Sequence, residues 1–343
     1  MTRKLRALGL FLTLPFLLAA DAPPRKAVEL PVLYTAGRFF AAPVTAKGET
    51  LHLYTDSGGG LFLLESAVKR VGLPVKRTVP GDKPGEPLRL TTLPAFRPGA
   101  AIPSPLAHDG LLPILSETQG ADALRDGMLG QAWFSGRVWT WDYPGRKLLW
   151  HPDGGLPAVE PSHRVTLGFK TEGGQRVADF PRIQATIDGQ TLDLLFDTGA
   201  MIALSPEALA KLGDKDPALR ATSFMAATHF DGWRKKHPDW RVIEKADQNM
   251  NGEPMIEVPA VTVAGYTVGP VWFTRRADPN FHQFMSQFTD KQVEGALGGS
   301  ALQYFRVTVD YERGGGVRAA VEPPLSALDF PISDITPPKG EAG

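Results

Sequence analysis

Two segments of this sequence each carry an alternating apolar strand directly into an aspartate, a hydroxyl residue and a glycine. Residues 48–59 read GETLHLYTDSGG, and residues 189–200 read GQTLDLLFDTGA. Alternation with a period of two predicts a strand with one buried face, and the glycine permits a tight turn after it. One Asp-Thr-Gly also occurs in ordinary turns, but a second copy favours a common role for Asp56 and Asp197. We therefore predict two carboxylates held at the ends of buried strands.

Aligning Asp56 with Asp197 brings further landmarks into register along the chain. The matching segments are Gly85-Glu86-Pro87-Leu88 with Gly252-Glu253-Pro254-Met255, Met128-Leu129-Gly130 with Ala296-Leu297-Gly298, and Asp142-Tyr143 with Asp310-Tyr311. Such internal similarity is the sequence signature of a repeated structural unit. We expect two similar lobes, at residues 23–155 and 156–322, with a Gly- and Pro-rich join at 151–162. Residues 323–343 are Pro-rich and are expected to form a loosely ordered tail.

Within each copy the sequence predicts mostly strands with a few short helices. The predicted elements are hairpins around Lys47-Gly48 and Asp188-Gly189, a hairpin over 77–95 with its tip at 80–85, and helices over 61–71 and 205–212. Asp-Gly is a strong hairpin signal, Gly72 provides a helix stop, and Ser205 provides an N-cap.

The second copy is longer than the first, and the surplus lies around residues 213–250. It contains a basic and aromatic cluster at residues 233–240. Because charged runs usually face water, a solvated surface insertion held by its aromatic side chains is favoured over a binding epitope.

The composition excludes several classes of site and partner. With 37 basic and 37 acidic residues the net charge is zero, so nothing indicates a nucleic-acid or anionic-lipid partner. There is no cysteine, which excludes disulfides and thiolate metal sites. The seven histidines are scattered, and His229 and His237 lack the spacing of a helical metal pair. We expect no metal and no cofactor.

Residues 1–22 have the pattern of an export signal. Three basic residues at positions 3, 4 and 6 precede an apolar run at 8–18, and small residues follow it. The run is short for a membrane span and contains Pro15, so an exported protein, periplasmic or secreted, is favoured over one held by an uncleaved anchor. No later segment approaches the length of a membrane span, so no stable span is expected once the signal is removed.

Two aspartates at matching points of two similar lobes suggest a site where the lobes meet. Carboxylates a few ångströms apart cannot both ionise easily, so they share a proton and one apparent pKa rises. The ionised member can take a proton from a bound water while the protonated member hydrogen-bonds the scissile carbonyl of an amide. Ser57 and Thr198 follow the aspartates directly, and their hydroxyls can bond across to the other lobe and hold the two loops together.

The motifs Asp56-Ser57-Gly58 and Asp197-Thr198-Gly199, each with a later apolar-apolar-Gly segment, resemble the aspartic protease superfamily. The resemblance covers roughly residues 30–322. It is to a two-lobed, single-chain member of the superfamily: each lobe resembles one retropepsin-like unit, and both units lie in one chain as in pepsin-like enzymes. It implies a mainly β fold of two acid-protease β-barrel lobes with short helices and an active-site cleft between them. It also implies an endopeptidase that acts as a monomer on a peptide or unfolded protein, with Asp56 and Asp197 as catalytic residues.

The resemblance further implies supporting roles around the two aspartates. The supporting residues are Ser57, Gly58, Thr198, Gly199, Leu129, Gly130, Leu297 and Gly298. The family's hairpin flap corresponds by position to residues 80–85. Gly59 and Ala200 depart from the pattern, because pepsin-like enzymes usually carry Ser or Thr there, and the flap candidate has no tyrosine. These departures leave a second hypothesis open: a catalytically weak or inactive bilobal module that binds peptides or a partner protein. A third hypothesis, a structural or envelope role, requires the two aspartate motifs to be coincidental.

Overall fold

The computed structural model describes residues 26–81, 85–117, 123–312 and 318–322. The predicted export signal at 1–22 and the Pro-rich tail at 323–343 lie outside these residues, as do three residues at the tip of the 77–95 hairpin. Within the described residues, no helix is both long enough and apolar enough to cross a bilayer.

The first half of the chain is mainly strand. Its strands are β1 Val28–Glu29, β2 Val32–Thr35, β3 Arg38–Ala41, β4 Leu53–Thr55, β5 Leu61–Leu64, β6 Arg77–Val79, β7 Leu88–Thr92, β8 Leu111–Leu115, β9 Gly127–Leu129, β10 Val138–Asp142 and β11 Lys147–His151. Its α-helices are α1 Glu65–Val71 and α2 Gln131–Phe134.

The second half is built in the same manner. Its strands are β12 Arg164–Thr166, β13 Thr171–Glu172, β14 Gln175–Arg176, β15 Arg182–Ile187, β16 Gln190–Phe196, β17 Met201–Ala203, β18 Leu219–Ala221, β19 Ser223–Ala226, β20 Val242–Asp247, β21 Glu253–Val258, β22 Val261–Val263, β23 Tyr266–Val268, β24 Val271–Arg276, β25 Gly295–Leu297, β26 Arg306–Asp310 and β27 Arg318–Glu322. Its α-helices are α3 Pro206–Leu212, α4 Ala227–Lys236 and α5 Gly299–Leu302, and a π-helical turn at Asn280–Phe284 leads into a 3₁₀ turn at Met285–Phe288. The predicted mainly β fold is confirmed.

Three large sheets organise these strands. The first half forms an eight-stranded sheet in the order β2-β3-β4-β9-β5-β8-β7-β6, and the second half forms a nine-stranded sheet in the order β20-β21-β24-β19-β25-β16-β15-β22-β23. A six-stranded sheet, β1-β11-β10-β26-β27-β12, takes three neighbouring strands from each half in mirrored order. At its centre β10 pairs antiparallel with β26, and the hydroxyls of Thr140 and Thr308 lie 2.7 Å apart. This sheet therefore joins the two halves.

An aromatic core lies against the shared sheet and reaches the second aspartate strand. Trp133, Trp139 and Trp141 are fully buried, and the rings of Trp133 and Trp139 are 4.4 Å apart. The ring of Trp141 contacts that of Phe196 at 5.6 Å, and Phe196 directly precedes Asp197. Burying each such side chain contributes about 1.5–3 kcal/mol, so the packing that joins the halves also fixes the end of β16.

Local sequence signals place several elements correctly. Asp188 and Gly189 adopt left-handed φ angles of 51° and 76° and join β15 to β16, as the Asp-Gly signal predicts. Ser205 caps α3, because its hydroxyl accepts the Ala208 N–H at 3.1 Å. The helix predicted over 61–71 is wrong in its first turn: Leu61–Leu64 is strand β5, which pairs with β9 and with β8. In this segment, pairing with strands from distant parts of the chain outweighs the local helical pattern.

The prediction that residues 213–250 form a solvated surface insertion held by aromatic side chains is confirmed for the cluster at 233–240, where the basic side chains are exposed and Trp233 is buried against Trp240, but it is wrong for the strand in this segment. This segment contributes β19, an interior strand of the nine-stranded sheet that pairs with β24 and β25. Helix α4 follows, with Phe230 and Trp233 buried against the core. The basic side chains at the end of α4 are exposed, as are residues 213–217, so the segment is partly core and partly surface of the second half.

Candidate active site

Asp56 and Asp197 each follow a buried strand, and a later strand passes beside each of them. β9 runs parallel to β4, and β25 runs parallel to β16. The Asp56 N–H donates to the Leu129 carbonyl at 3.1 Å, and the Asp197 N–H donates to the Leu297 carbonyl at 3.1 Å. The structure thus brings both apolar-apolar-Gly segments next to the aspartate loops, as the sequence places them.

Gly130 and Gly298 lie at points where two backbones approach closely. A Cβ on Gly130 would lie 2.0 Å from the Gly60 carbonyl oxygen, and one on Gly298 would lie 2.0 Å from the Thr222 carbonyl oxygen. Both positions therefore require glycine. The two halves differ in the backbone that this glycine approaches. Gly60 belongs to the first aspartate loop itself, whereas Thr222 belongs to the 213–250 segment.

The two aspartate loops are held together by reciprocal hydrogen bonds. The Ser57 N–H donates to Thr198 Oγ1 at 3.0 Å, and the Thr198 N–H donates to Ser57 Oγ at 2.9 Å. Ser57 Oγ in turn donates to the Phe196 carbonyl at 2.7 Å. Both side chains are buried, so these bonds do not compete with water.

Tyr54 is a further contact between the loops that the sequence did not reveal. Its hydroxyl donates to the Gly199 carbonyl at 2.8 Å, and the side chain is fully buried. On the sequence Tyr54 is one more apolar position of the β4 pattern. Its polar end nevertheless reaches across to the second half and fixes the turn after Asp197.

The carboxyl groups of Asp56 and Asp197 lie within hydrogen-bonding reach of each other. The Gly58 N–H donates to Asp56 Oδ1 at 2.9 Å, and the Gly199 N–H donates to Asp197 Oδ1 at 3.0 Å. Each carboxyl also packs against the glycine of the opposite loop. A Cβ on Gly199 would lie 2.0 Å from Asp56 Cγ, and one on Gly58 would lie 2.8 Å from Asp197 Cγ. The glycines make room for the carboxyl pair.

Burial and proximity change the acidity of the two carboxyls unequally. Burial, followed by the charge of Asp197, raises the pKa of Asp56 well above its usual range. Burial also raises the pKa of Asp197, but hydrogen bonds from Asp56 and from the N–H groups of Gly199 and Ala200 oppose that rise. Both pKa values are raised, so the two carboxyls do not ionise independently and the pair shares a proton.

The position of Gly59 has no space for a side chain. A Cβ there would lie 2.5 Å from Asp56 Oδ2 and 2.5 Å from Met128 Sδ. The serine or threonine of pepsin-like enzymes therefore does not fit this loop as it is folded. Ala200, at the matching point, is buried, and its N–H faces the Asp197 carbonyl at 3.4 Å.

A cavity of about 730 Å³ opens beside Asp197, and its walls come mostly from the second half. Its apolar wall is formed by Leu195, Phe224, Phe281, Phe284 and Met285. Arg276 also lines it, paired with buried Asp247 at 2.7 Å and 4.1 Å from the Phe224 ring centroid. The sequence did not predict this cavity, because its residues come from four separate stretches with no common motif.

The hairpin proposed as a flap is present as β6 and β7. Val79 pairs with Leu88 and Arg77 pairs with Leu90, while residues 82–84 at the tip lie outside the described residues. Within the part of the hairpin that is described, no residue lines the cavity beside Asp197.

His229 and His237 lie beside different carboxylates. His237 Nε2 is 2.9 Å from Asp188 Oδ1, and His229 Nε2 is 3.2 Å from Glu294 Oε2. Across the described ranges, no group of three or more His, Asp or Glu side chains is arranged to hold a metal ion.

Comparisons with known proteins give similarity to solved structures but not to known sequences. No protein family model matches the chain, and no curated protein matches it. Among solved structures, the aspartic proteinase from Irpex lacteus matches with 11% sequence identity and a TM-score of 0.44, covering 87% of this chain and 97% of that one. Similarity at this level assigns neither a family nor an activity to the chain.

Proposed function

We propose that this chain is an exported aspartic endopeptidase that hydrolyses peptide bonds with a water activated by Asp56 and Asp197. The observation that carries the proposal is the pair of carboxyls, Asp56 buried and Asp197 half-buried, within hydrogen-bonding reach of each other on two interlocked loops. Two acids in such a position hold one proton between them, which supplies a general acid and a general base at the same place.

The unequal environments of the carboxyls suggest their roles. Asp197 is the base: it takes a proton from the water while the water oxygen attacks the carbonyl carbon of the peptide. Asp56 is the acid: it donates its proton to the carbonyl oxygen, which gives a tetrahedral diol. Asp197 then gives its proton to the amide nitrogen while Asp56 takes a proton from one diol hydroxyl, so that the C–N bond breaks and an amine and a carboxylic acid form. Asp56 is again protonated and Asp197 again ionised, as required for the next turnover.

The proposed substrate is a peptide or unfolded protein segment that lies extended across the two aspartates. The cavity beside Asp197 would take one of its side chains, and the apolar wall favours a large apolar one. Both loops come from one chain, so we propose a monomer. Export to the periplasm or beyond is proposed from residues 1–22 alone.

The proposal is tested by incubating the purified protein with an unfolded protein at pH 3–7 and identifying the products by mass spectrometry. Asp56→Asn and Asp197→Asn should each abolish cleavage while leaving the circular dichroism spectrum unchanged. Asp142→Asn is the matched control, because this carboxylate accepts a backbone N–H from Gly145 far from the pair. Cleavage that survives loss of either aspartate would contradict the proposal. Binding of a transition-state-mimicking peptide without any cleavage would favour the binding module instead.

A further inference from the structure

Arg38 is a buried cation without an anionic partner. Its side chain lies on β3 and is 5% exposed, and no carboxylate of the described residues lies within ion-pair distance of it. Its Nε is buried without a hydrogen-bond partner, and its Nη1 is 4.0 Å from Met201 Sδ, a weak acceptor. Buried charges in folded proteins are normally paired, so this position calls for an explanation.

A second arginine meets the same aromatic ring. The guanidinium carbons of Arg38 and Arg125 lie 5.4 Å and 5.0 Å from the ring centroid of Phe40. Arg125 is exposed and has a left-handed φ of 61°, and within the described chain it too has no carboxylate partner. The carboxylate of neighbouring Asp126 is already bonded to Arg70 and to the backbone N–H of His52. The two arginines thus place unneutralised positive charge around Phe40.

Phe40 and Arg38 contact residues that lie near the two aspartates along the chain. Phe40 pairs with Tyr54 across β3 and β4, and Tyr54 is two residues before Asp56. On the other side, the sulfur that Arg38 contacts belongs to Met201, four residues after Asp197. None of these residues lines the apolar cavity beside Asp197. Arg38 and Arg125 therefore form a cluster that is separate from this cavity.

We propose that Arg38 and Arg125 form an anion-binding subsite, which takes the carboxylate of an aspartate or glutamate in the substrate near the scissile bond. This inference rests on the proposed peptidase function and names its substrate class. Guanidinium groups suit this task, because they remain charged and donate paired N–H bonds to a carboxylate. A bound carboxylate would also satisfy the Nη groups for which the described part of the chain provides no anion. The competing account is that both arginines only cover Phe40 through cation–π contacts.

The test uses pairs of peptides that differ only by Glu or Gln at one position around a bond found cleaved in the unfolded protein. The wild-type enzyme should prefer Glu over Gln at one position by about tenfold in kcat/KM, which is typical of a charged hydrogen bond. Arg125→Gln and Arg38→Gln should bring the ratio close to one by lowering kcat/KM for the Glu peptide towards that for the Gln peptide. Arg125 is exposed, so its variant keeps the test valid if Arg38→Gln fails to fold.

Arg146→Gln is the matched control. Arg146 is also exposed, also has a left-handed φ (54°), and also lies over an aromatic ring, 5.6 Å from the Tyr34 centroid. Its replacement should leave the Glu preference intact. A wild-type ratio near one at every position, or an unchanged ratio in Arg125→Gln, would overturn the subsite.

A binding measurement separates this inference from the proposed function. The affinity of Asp197→Asn for the Glu and Gln peptides can be measured by calorimetry without any turnover. Glu-selective binding that Arg125→Gln removes, with no cleavage by the wild type, would overturn the peptidase function and retain the subsite. Cleavage without Glu preference would overturn the subsite alone.

Discussion

Ser57 and Thr198 each accept a hydrogen bond from the other's backbone N–H, at 2.9 and 3.0 Å, although 141 residues separate them in the chain. The bonds are reciprocal, so neither loop can move away without exposing a buried donor on both sides. The separation of the two aspartates is therefore set by two hydroxyl groups that take no direct part in the proposed chemistry.

Removing the Ser57 hydroxyl should loosen this connection. Ser57→Ala leaves the Thr198 N–H and the Phe196 carbonyl without partners, and each unsatisfied buried group costs about 1–3 kcal/mol. We expect the free energy of unfolding in urea to fall by about that amount and proteolysis to weaken. Thr198→Ser keeps the hydroxyl and should change little. A Ser57→Ala and Thr198→Val double variant should lose less than the sum of the single losses, and strict additivity would contradict the coupling.

The backbone at Gly199 lies too close to Asp56 to accept a side chain. Gly199→Ala would place a Cβ 2.0 Å from Asp56 Cγ, so the carboxyl must move, and displacement of a reacting group by about 1 Å can cost about a hundredfold in rate. We expect kcat/KM to fall by at least that factor. Gly60→Ala is the control, because its Cβ would meet only the Phe62 ring at 3.8 Å. Similar activity in both variants would argue against a tight carboxyl pair.

The pH dependence of kcat/KM should be bell-shaped. On the acidic side activity falls as Asp197 becomes protonated and can no longer accept a proton from water. On the alkaline side it falls as Asp56 loses its proton, and since the pKa of Asp56 is raised well above its usual range, this limb should lie above that of an ordinary carboxyl. Rates with an uncharged peptide, taken only where circular dichroism shows the fold intact, provide the measurement. A rate that keeps rising to neutral pH and beyond would contradict the shared proton.

The buried carboxyls should lower stability at neutral pH. Both pKa values are raised by folding, so their contribution is fully present below about pH 3.9, the ordinary aspartate pKa, and is lost as pH rises through the folded values. Asp56→Asn removes an ionisable group from the pair and should stabilise the protein at pH 7, by about 1.4 kcal/mol for each unit of raised pKa. The difference in unfolding free energy between Asp56→Asn and the wild type should become smaller towards pH 3. Thermal unfolding of both proteins at the two pH values tests this, and an equal gain at both would contradict it.

The positions of the aspartate strands could be predicted because their signals are local. Leu192, Leu194 and Phe196 alternate along β16 and are all buried on one side, as a period of two requires. The turns at Asp188-Gly189 and the cap at Ser205 are likewise determined by a few adjacent residues. The mainly β fold follows from many such segments.

The features that could not be predicted depend on contacts between distant parts of the chain. Strand β19, Ser223–Ala226, is too short and too deeply buried to show alternation, and the charged end of α4 nearby obscured it. Tyr54 and Gly199 are 145 residues apart, so no local pattern links the hydroxyl to its acceptor. The roles of Asp56 and Asp197 in catalysis stay a prediction.

The pairing of β10 with β26 at the centre of the shared sheet also determines when the pair of aspartates can form while the chain is being synthesised. Thr140 and Thr308 meet across that pairing, 168 residues apart. Contacts so distant form late in folding, because the intervening chain must be present and closed first. A growing chain therefore carries Asp56 as an isolated carboxyl until the second half has emerged. The proposed enzyme would acquire its chemistry only once both halves have folded together.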